Sequence, residues 1–229
     1  MNLIEAQDLS KVYHRGSEEI HALKGVSLSV KAGEFVSIVG PSGSGKTGLL
    51  NILGLLDDPS GGSVKVHGTD VTHLKEKQRV VLRRDTIGFV FQQFFLIPTM
   101  TARENLELPL LFSRTKPDPK KTESILEMLG LAHRGDHLPY QLSGGEMQRV
   151  AIGRALMNDP EVILADEPTG NLDSVSSEMI YNLFRELRNK GLTLIVVTHN
   201  TDLAKRADRV ITIRDGILTE NEQVCCPCS

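Results

Sequence analysis

Gly40-Pro41-Ser42-Gly43-Ser44-Gly45-Lys46-Thr47 reads GxxxxGK[ST], the spacing of a phosphate-binding loop. Before it, Glu34-Phe35-Val36-Ser37-Ile38-Val39 is a short apolar run suited to a buried strand. After it, Leu49, Leu50, Ile52, Leu53 and Leu56 recur at helical spacing. Glycines let the backbone turn its N–H groups inward, where side chains would block a phosphate. The following helix points its positive dipole end at the same anion. Lys46 is placed to hold β/γ-phosphates and the Thr47 hydroxyl to ligate Mg²⁺. A plain Gly/Ser turn is the alternative, and the full match between strand and helix outweighs it. The stretch implies a nucleoside triphosphate site.

Working outward, residues 2–7 and 22–30 alternate like strands around a polar turn at Arg15-Gly16-Ser17-Glu18. They predict an antiparallel β-layer ahead of the loop. Asp57-Asp58-Pro59-Ser60-Gly61-Gly62 is a dense turn signal. Ser63 to His67 resumes a strand, Lys75 to Arg84 reads as an exposed basic helix, and Ile87 to Phe91 as a buried strand ending at Gln92. Between 93 and 157 the pattern becomes helical (Asn105 to Phe112, Lys120 to Leu131, Ser143 to Met157), with no strand between. Alternation then returns: Val162 to Ala165 strand, Ser174 to Lys190 helix, Leu192 to Val197 strand, Asp202 to Ala207 helix, Val210 to Ile213 strand. The fold class expected is α/β, a P-loop NTPase core with a mostly parallel sheet, an N-terminal antiparallel β-layer and an inserted helical subdomain. One domain spans 1–229, with 1–92 and 158–221 as core and layer, 93–157 as the insertion and 222–229 as its tail.

Composition narrows the partners. Lys plus Arg is 26 against 29 Asp plus Glu, a net charge of -3, so no domain-wide basic field exists and nucleic acid is not an expected partner. The first residues carry no signal-peptide pattern and no apolar run reaches membrane-span length, so any membrane role needs a partner. Cys225, Cys226 and Cys228 crowd the last five residues, leaving the folded body without a disulfide, as suits a reducing compartment. A soft-metal site there lacks a fourth ligand, and Cys226-Pro-Cys-Ser departs from a lipidation box, so 222–229 reads as a disordered tail.

Three further constellations carry chemistry. Val162-Ile163-Leu164-Ala165 delivers Asp166 at the tip of a strand, where a Mg²⁺ ligand beside a phosphate loop must lie. Glu167 follows and can polarise an attacking water. Alone, Asp-Glu-Pro is an ordinary turn; behind a phosphate loop it gains weight. His199 ends the apolar run Leu194 to Thr198 and would face a γ-phosphate if that strand neighbours the loop strand; a structural histidine is the other reading. Leu142-Ser143-Gly144-Gly145-Glu146 opens a helix with a capping box between Ser143 and Glu146. Two glycines after the cap weaken helix initiation by roughly 1 kcal/mol each, a cost that fits bare N–H groups meeting an anion. The chain thus has two helix N-termini suited to phosphate and one phosphate loop.

On these residues the chain resembles the nucleotide-binding domain of ABC transporters over nearly its whole length. The matching motifs are Walker A (Gly40 to Thr47), signature (Leu142 to Glu146), Walker B (Val162 to Glu167), D-loop (Gly170-Asn171-Leu172-Asp173) and H-loop (His199). Gln92 matches the Q-loop and Tyr13 the A-loop. Gly88-Phe-Val-Phe-Gln-Gln-Phe and the Gly170 loop further resemble the lipoprotein-release and macrolide-export branch (LolD-type and MacB-type ATPases).

The resemblance implies an ATPase using ATP and Mg²⁺, with Thr47, Gln92 and Asp166 around the metal. Glu167 would be the base, Lys46 the charge stabiliser and His199 a donor to the γ-phosphate. A second copy, packed head to tail, would close the site with Ser143 and Gly145; Asp173 would couple the two sites and Tyr13 would stack on adenine. Gln92 would report to a membrane permease, placing the chain at the inner face of the cell membrane. Coupling is expected near Phe94, Phe95, Leu96 and Pro98, unless those residues pack the insertion's own core. Two departures stand out. Glu146 replaces the common Gln, as the capping box explains. Gly48 replaces a Ser or Thr hydroxyl near the α-phosphate, which predicts weakened nucleotide binding. Other readings are an ATP-driven regulator without transport, as in the cell-division relatives, a DNA- or ribosome-acting ABC ATPase, and a small-molecule kinase. The DNA- or ribosome-acting reading needs long coiled coils or a second nucleotide domain, which this sequence does not show, and the signature helix argues against a kinase.

Overall fold

Aliphatic and β-branched residues run almost unbroken through four short segments, and the computed structural model, which describes residues 1–220, makes all four strands of one sheet. Cys225, Cys226 and Cys228, with the rest of the expected tail, lie outside the described residues. In chain order the elements are β1 (Asn2–Arg15), β2 (Glu18–Lys31), β3 (Phe35–Val39), α1 (Lys46–Leu53), β4 (Gly61–Val66), β5 (Thr69–Asp70), α2 (Glu76–Thr86) and β6 (Ile87–Val90). Then come α3 (Ala102–Ser113), α4 (Pro119–Met128), α5 (Gly144–Leu156), β7 (Val162–Asp166), α6 (Ser174–Asn189), β8 (Thr193–Thr198), α7 (Thr201–Ala204), β9 (Arg209–Arg214) and β10 (Ile217–Glu220).

The larger sheet has the order β10-β9-β3-β8-β7-β6 and is parallel except for the β9–β10 hairpin at its edge. Its inner strands are buried on both faces, and the period of two divides them cleanly. Val36, Ile38, Val162, Leu164, Ile195 and Val197 face α1 and the antiparallel layer. Phe35, Ile163, Ala165, Leu194 and Val196 face α3, α5 and α6. The smaller sheet, β2-β1-β4-β5, is antiparallel, as expected. It meets the larger one where Lys24 N–H donates to Gly216 O at 2.9 Å.

Three helices and two short 3₁₀ turns, and no strand, lie between β6 and β7. α3 starts three residues before the expected Asn105, because Thr101 and Glu104 cap each other reciprocally (3.2 and 2.7 Å). Asn105 itself is buried and spends its amide on Ile97 and Met100, fixing the loop ahead of the helix. α4 ends at Met128 rather than Leu131, with Gly130 left-handed just beyond. The hairpin partner β10 was not expected, although Asp215-Gly216 carries the signal: both residues have positive φ, as a tight hairpin turn requires.

Candidate functional site

β3 pairs with β8, and β8 with β7, all parallel, so their carboxyl ends lie side by side. From those ends leave the phosphate loop, Asp166–Glu167 and His199. They converge on a cavity of about 840 Å³, lined also by Tyr13, Ser42, Gly43, Gly45, Thr47, Gly48 and Gln92. Ala22 and Asn51 line it too, and neither was singled out from sequence. Ala22 belongs to β2, which only tertiary packing brings over the loop. Asn51 sits on α1 one turn beyond Thr47, a position that helical spacing could have revealed.

Gly45 is left-handed (φ 102), and a Cβ there would lie 2.4 Å from Ala22 O, so backbone approach demands glycine. Lys46 is nearly buried and donates to Gly40 O at 2.7 Å and Pro41 O at 3.0 Å. These contacts aim its ammonium along the loop; Glu167 Oε1 is 3.8 Å away. Glu167 adopts φ 45, a costly conformation for a residue with a Cβ, roughly 1 kcal/mol. The turn is clamped by Glu167 N–H donating to Val197 O and Gly170 N–H donating to Glu167 O. Its effect is to swing the carboxylate back over β8. There Oε2 accepts from His199 N–H at 3.1 Å and lies 2.9 Å from His199 Nδ1.

Asp166, at the tip of β7, is half-buried. Burial raises its carboxyl above the ordinary range; the Thr47 hydroxyl opposes the rise and the Glu167 charge adds to it. Thr47, Asp166 and Gln92 supply hard oxygens around one cavity, the donor set that Mg²⁺ takes. Gln92 meets this need with its carbonyl, since Nε2 donates to Asn171 Oδ1 at 3.2 Å. Ser44, by contrast, is buried within the loop and does not line the cavity.

The Tyr13 hydroxyl donates to Asp57 Oδ2 at 2.9 Å. Partial burial and that bond push its ionisation up to about 12, so it is a neutral donor at every physiological pH. At Gly48 a Cβ would meet only the Tyr13 hydroxyl, at 3.6 Å, so a larger residue fits. Gly48→Thr is therefore expected to tighten ATP about three- to tenfold by restoring a hydroxyl. Unchanged affinity in an equilibrium titration would refute the weakening assigned to Gly48.

The second phosphate-type helix end lies elsewhere. Ser143 caps α5 as expected, accepting from Glu146 N–H at 3.2 Å, while Ser143 N–H donates to Glu146 Oε2 at 2.8 Å. That backbone bond holds the Glu146 carboxyl below the usual range, against its partial burial, with Arg134 adding. None of Ser143, Gly144, Gly145 and Glu146 lines the cavity, and neither does Asp173. Gly145 has an in-chain reason that sequence did not disclose. A Cβ there would lie 2.6 Å from Ser176 Oγ, so α5 and the start of α6 touch backbone to side chain. Asp173 caps α6 through Ser176 (2.9 and 2.7 Å), tying the same serine to the Gly170–Asp173 loop. α5 also grips the segment around Gln92: Gln148 donates to Phe91 O and Pro168 O, and Arg154 to Phe94 O and Phe95 O.

Of the residues expected to couple, Phe95 is 60 % exposed, whereas Leu96 packs on the helical core and Phe94 is half-buried near Gly144. Phe95 lines an apolar groove of about 550 Å³ with Leu56, Val80, Pro109 and Phe112. Those other walls come from α1's end, α2 and α3, too far apart in sequence to be grouped by pattern.

A parallel sheet delivering a phosphate loop, a half-buried aspartate, a clamped glutamate and a histidine to one cavity defines an ATP-binding cassette ATPase. Residues 23–170 match the family model described as ABC transporter, and this chain belongs to that family. It is 45 % identical over 222 residues to the macrolide export ATP-binding/permease protein MacB of Bdellovibrio bacteriovorus, covering 97 % of this chain and 34 % of that protein. The chain thus spans about a third of the length of that relative. It is 48 % identical over 220 residues to the uncharacterized ABC transporter ATP-binding protein MJ1508 of Methanocaldococcus jannaschii, covering 95 % of this chain and 98 % of that one. Among solved structures it is similar to the ATP-binding cassette MJ0796, a dimer in a post-hydrolysis state bound to ADP and Pi. The TM-score is 0.88 at 46 % identity, covering 96 % of this chain and 98 % of that one.

Proposed function

We propose that two copies of this chain close head to tail over two ATP molecules and that this closure drives a membrane permease. The substrate class we infer is a lipoprotein to be released, or a hydrophobic compound or peptide to be exported. One observation carries the two-copy reading: the cavity of a single chain holds a phosphate cradle, metal ligands and a base, but not the Ser143–Gly144 helix tip. A second copy supplies it. The dimers of the MJ0796 cassette and the permease half named in MacB support the same assembly.

Hydrolysis then runs through this chain's own groups. Glu167 accepts a proton from water as the water oxygen attacks the γ-phosphorus and the bond to the β–γ bridging oxygen breaks, releasing ADP. Lys46 exchanges the carbonyls of Gly40 and Pro41 for phosphate oxygens, where its charge counts most in the closing site. His199 orients Glu167 through the bonds already formed and presents its ring to the γ-phosphate. Mg²⁺, when held by Thr47, Asp166 and Gln92, neutralises phosphate charge. Tyr13 stacks on adenine, and Asp173 carries the state of one site to the other through Ser176 and α5.

No helix among the described residues is long and apolar enough to cross a membrane. The apolar groove at Phe95 and Phe112 suits an apolar helix of the permease. Because Arg154 and Gln148 bind the Phe91–Phe95 segment to α5, movement in the groove reaches the helix that closes the partner's site. In this reading the chain sits on the inner face of the membrane. Phe112 is 78 % exposed, so Phe112→Asp costs little fold stability. It is expected to leave the subunit's own ATPase unchanged and abolish co-purification with the permease. Retained co-purification and substrate-stimulated ATPase would overturn this docking.

A further inference from the structure

Asp57 lies in the turn after α1, outside the cavity, yet it gathers three groups that bear on Tyr13. Its Oδ2 accepts from the Tyr13 hydroxyl at 2.9 Å, and its Oδ1 accepts from Lys11 Nζ at 2.6 Å. The Asp58 N–H donates to the same Oδ1 at 2.8 Å. Lys11 also donates to Asp58 O and sits 4.9 Å over the centre of the Tyr13 ring. Lys11 and Tyr13 are two apart on β1, hence on one face of the strand. Burial alone would raise the Asp57 carboxyl, but the bonds from Lys11 and Tyr13 outweigh it and hold it ionised.

We propose that Asp57, with Lys11, is a positioning residue for the nucleotide base: it locks the Tyr13 ring with one face against Lys11 and the other toward the cavity. Tyr13 lines that cavity and Lys11 does not, so the cation covers the far face. Tyr13 is 38 % exposed, on the stretch of β1 that pairs with β2 alone, and without the lock its side chain is free to turn. Fixing its two side-chain torsions before the base arrives removes an ordering cost from binding. Lys11 adds a cation–π contact that holds the ring flat. Gly48 is the floor of the arrangement, since the nearest atom a Cβ there would meet is the Tyr13 hydroxyl. The Asp57 N–H donates to Asn51 O at 3.3 Å, which ties the turn carrying the carboxylate to α1, the helix that begins with Lys46.

This inference rests on the reading of Tyr13 as the adenine platform, and the two separate cleanly by experiment. Equilibrium binding of ATP and of inorganic tripolyphosphate, both with Mg²⁺, is measured for Tyr13→Ala, Tyr13→Phe, Asp57→Ala, Asp57→Asn and the Tyr13→Phe/Asp57→Ala double variant. Asp57→Ala is expected to weaken ATP about three- to tenfold while tripolyphosphate binds as before. Tyr13→Phe should match it, and the double variant should lose no more than either single change. Asp57→Asn keeps the side-chain shape and serves should Asp57→Ala fail to fold; it should fall between wild type and Tyr13→Phe. If Tyr13→Ala weakens ATP but both Asp57 variants bind it normally, Asp57 positions nothing. If tripolyphosphate weakens as much as ATP, Asp57 acts on the cradle and the proposal is wrong. If Tyr13→Ala itself binds ATP normally, the platform reading falls first and this one with it.

Discussion

Glu167→Gln is expected to slow ATP hydrolysis by about two to four orders of magnitude, and to convert a monomer into a stable dimer when ATP and Mg²⁺ are added. The geometry separates the two effects. The rate falls because an amide cannot take the proton of the attacking water. The dimer accumulates because the lost negative charge sits where the γ-phosphate must arrive, 3.8 Å from the Lys46 ammonium that should bind it. Shape is retained, and the clamp on the Glu167 turn uses only backbone groups, so the positive φ survives the change. The amide oxygen can still accept from His199 N–H. Gel filtration with and without ATP checks the assembly, and phosphate release checks the rate. A variant that hydrolyses no ATP and stays monomeric with ATP bound would remove the two-copy enclosure from this account.

The second large effect distinguishes a site completed by another copy from one completed within the chain. Lys46→Ala removes the buried ammonium and should cost about a hundred- to a thousandfold in rate. Gly144→Asp should cost as much for a different reason. A Cβ at Gly144 has Leu172 at 3.4 Å, Phe94 at 3.8 Å and Asn171 O at 4.0 Å as its nearest neighbours, all at ordinary contact distance, so the residue fits. An acid in the first turn of α5 even favours the helix by about 0.3–1 kcal/mol. What it opposes is the partner's triphosphate, so melting temperature holds or rises slightly while turnover collapses. Mixing the two inactive proteins is then decisive. In a head-to-tail heterodimer one site carries both lesions and the other carries neither. Equal mixing should recover roughly a quarter of wild-type activity, since half the dimers are mixed and each has one sound site. Zero recovery would mean that the glycine tip acts on its own chain's nucleotide.

How much of this was legible beforehand follows from what is contiguous. The phosphate loop, the strand ending in Asp166 and the Ser143–Glu146 cap are each written in a few successive residues. Local backbone chemistry dictates them, and the structure places all three as read. The neighbouring of β8 with β3 was stated only as a condition for His199 to matter, and the sheet order meets it. The edge strand β10 went unread even though the Asp215-Gly216 turn announced it.

The amino-acid sequence by itself determined the chemistry available to this protein: an α/β core of the ABC family, a triphosphate cradle at Lys46, an acid pair at Asp166 and Glu167, and a second glycine-bearing helix end with no cradle of its own. Tertiary structure alone decided that Glu167 turns back over His199 through a strained φ. It also decided that Gly145 is glycine because Ser176 lies against it, that Tyr13 is held by Asp57 from the turn after α1, and that four distant segments share one apolar groove. The physical reason is range. Propensity, capping and loop geometry act within a few residues, whereas close approach, burial and charge pairing depend on which surfaces the packed sheet and helices bring together.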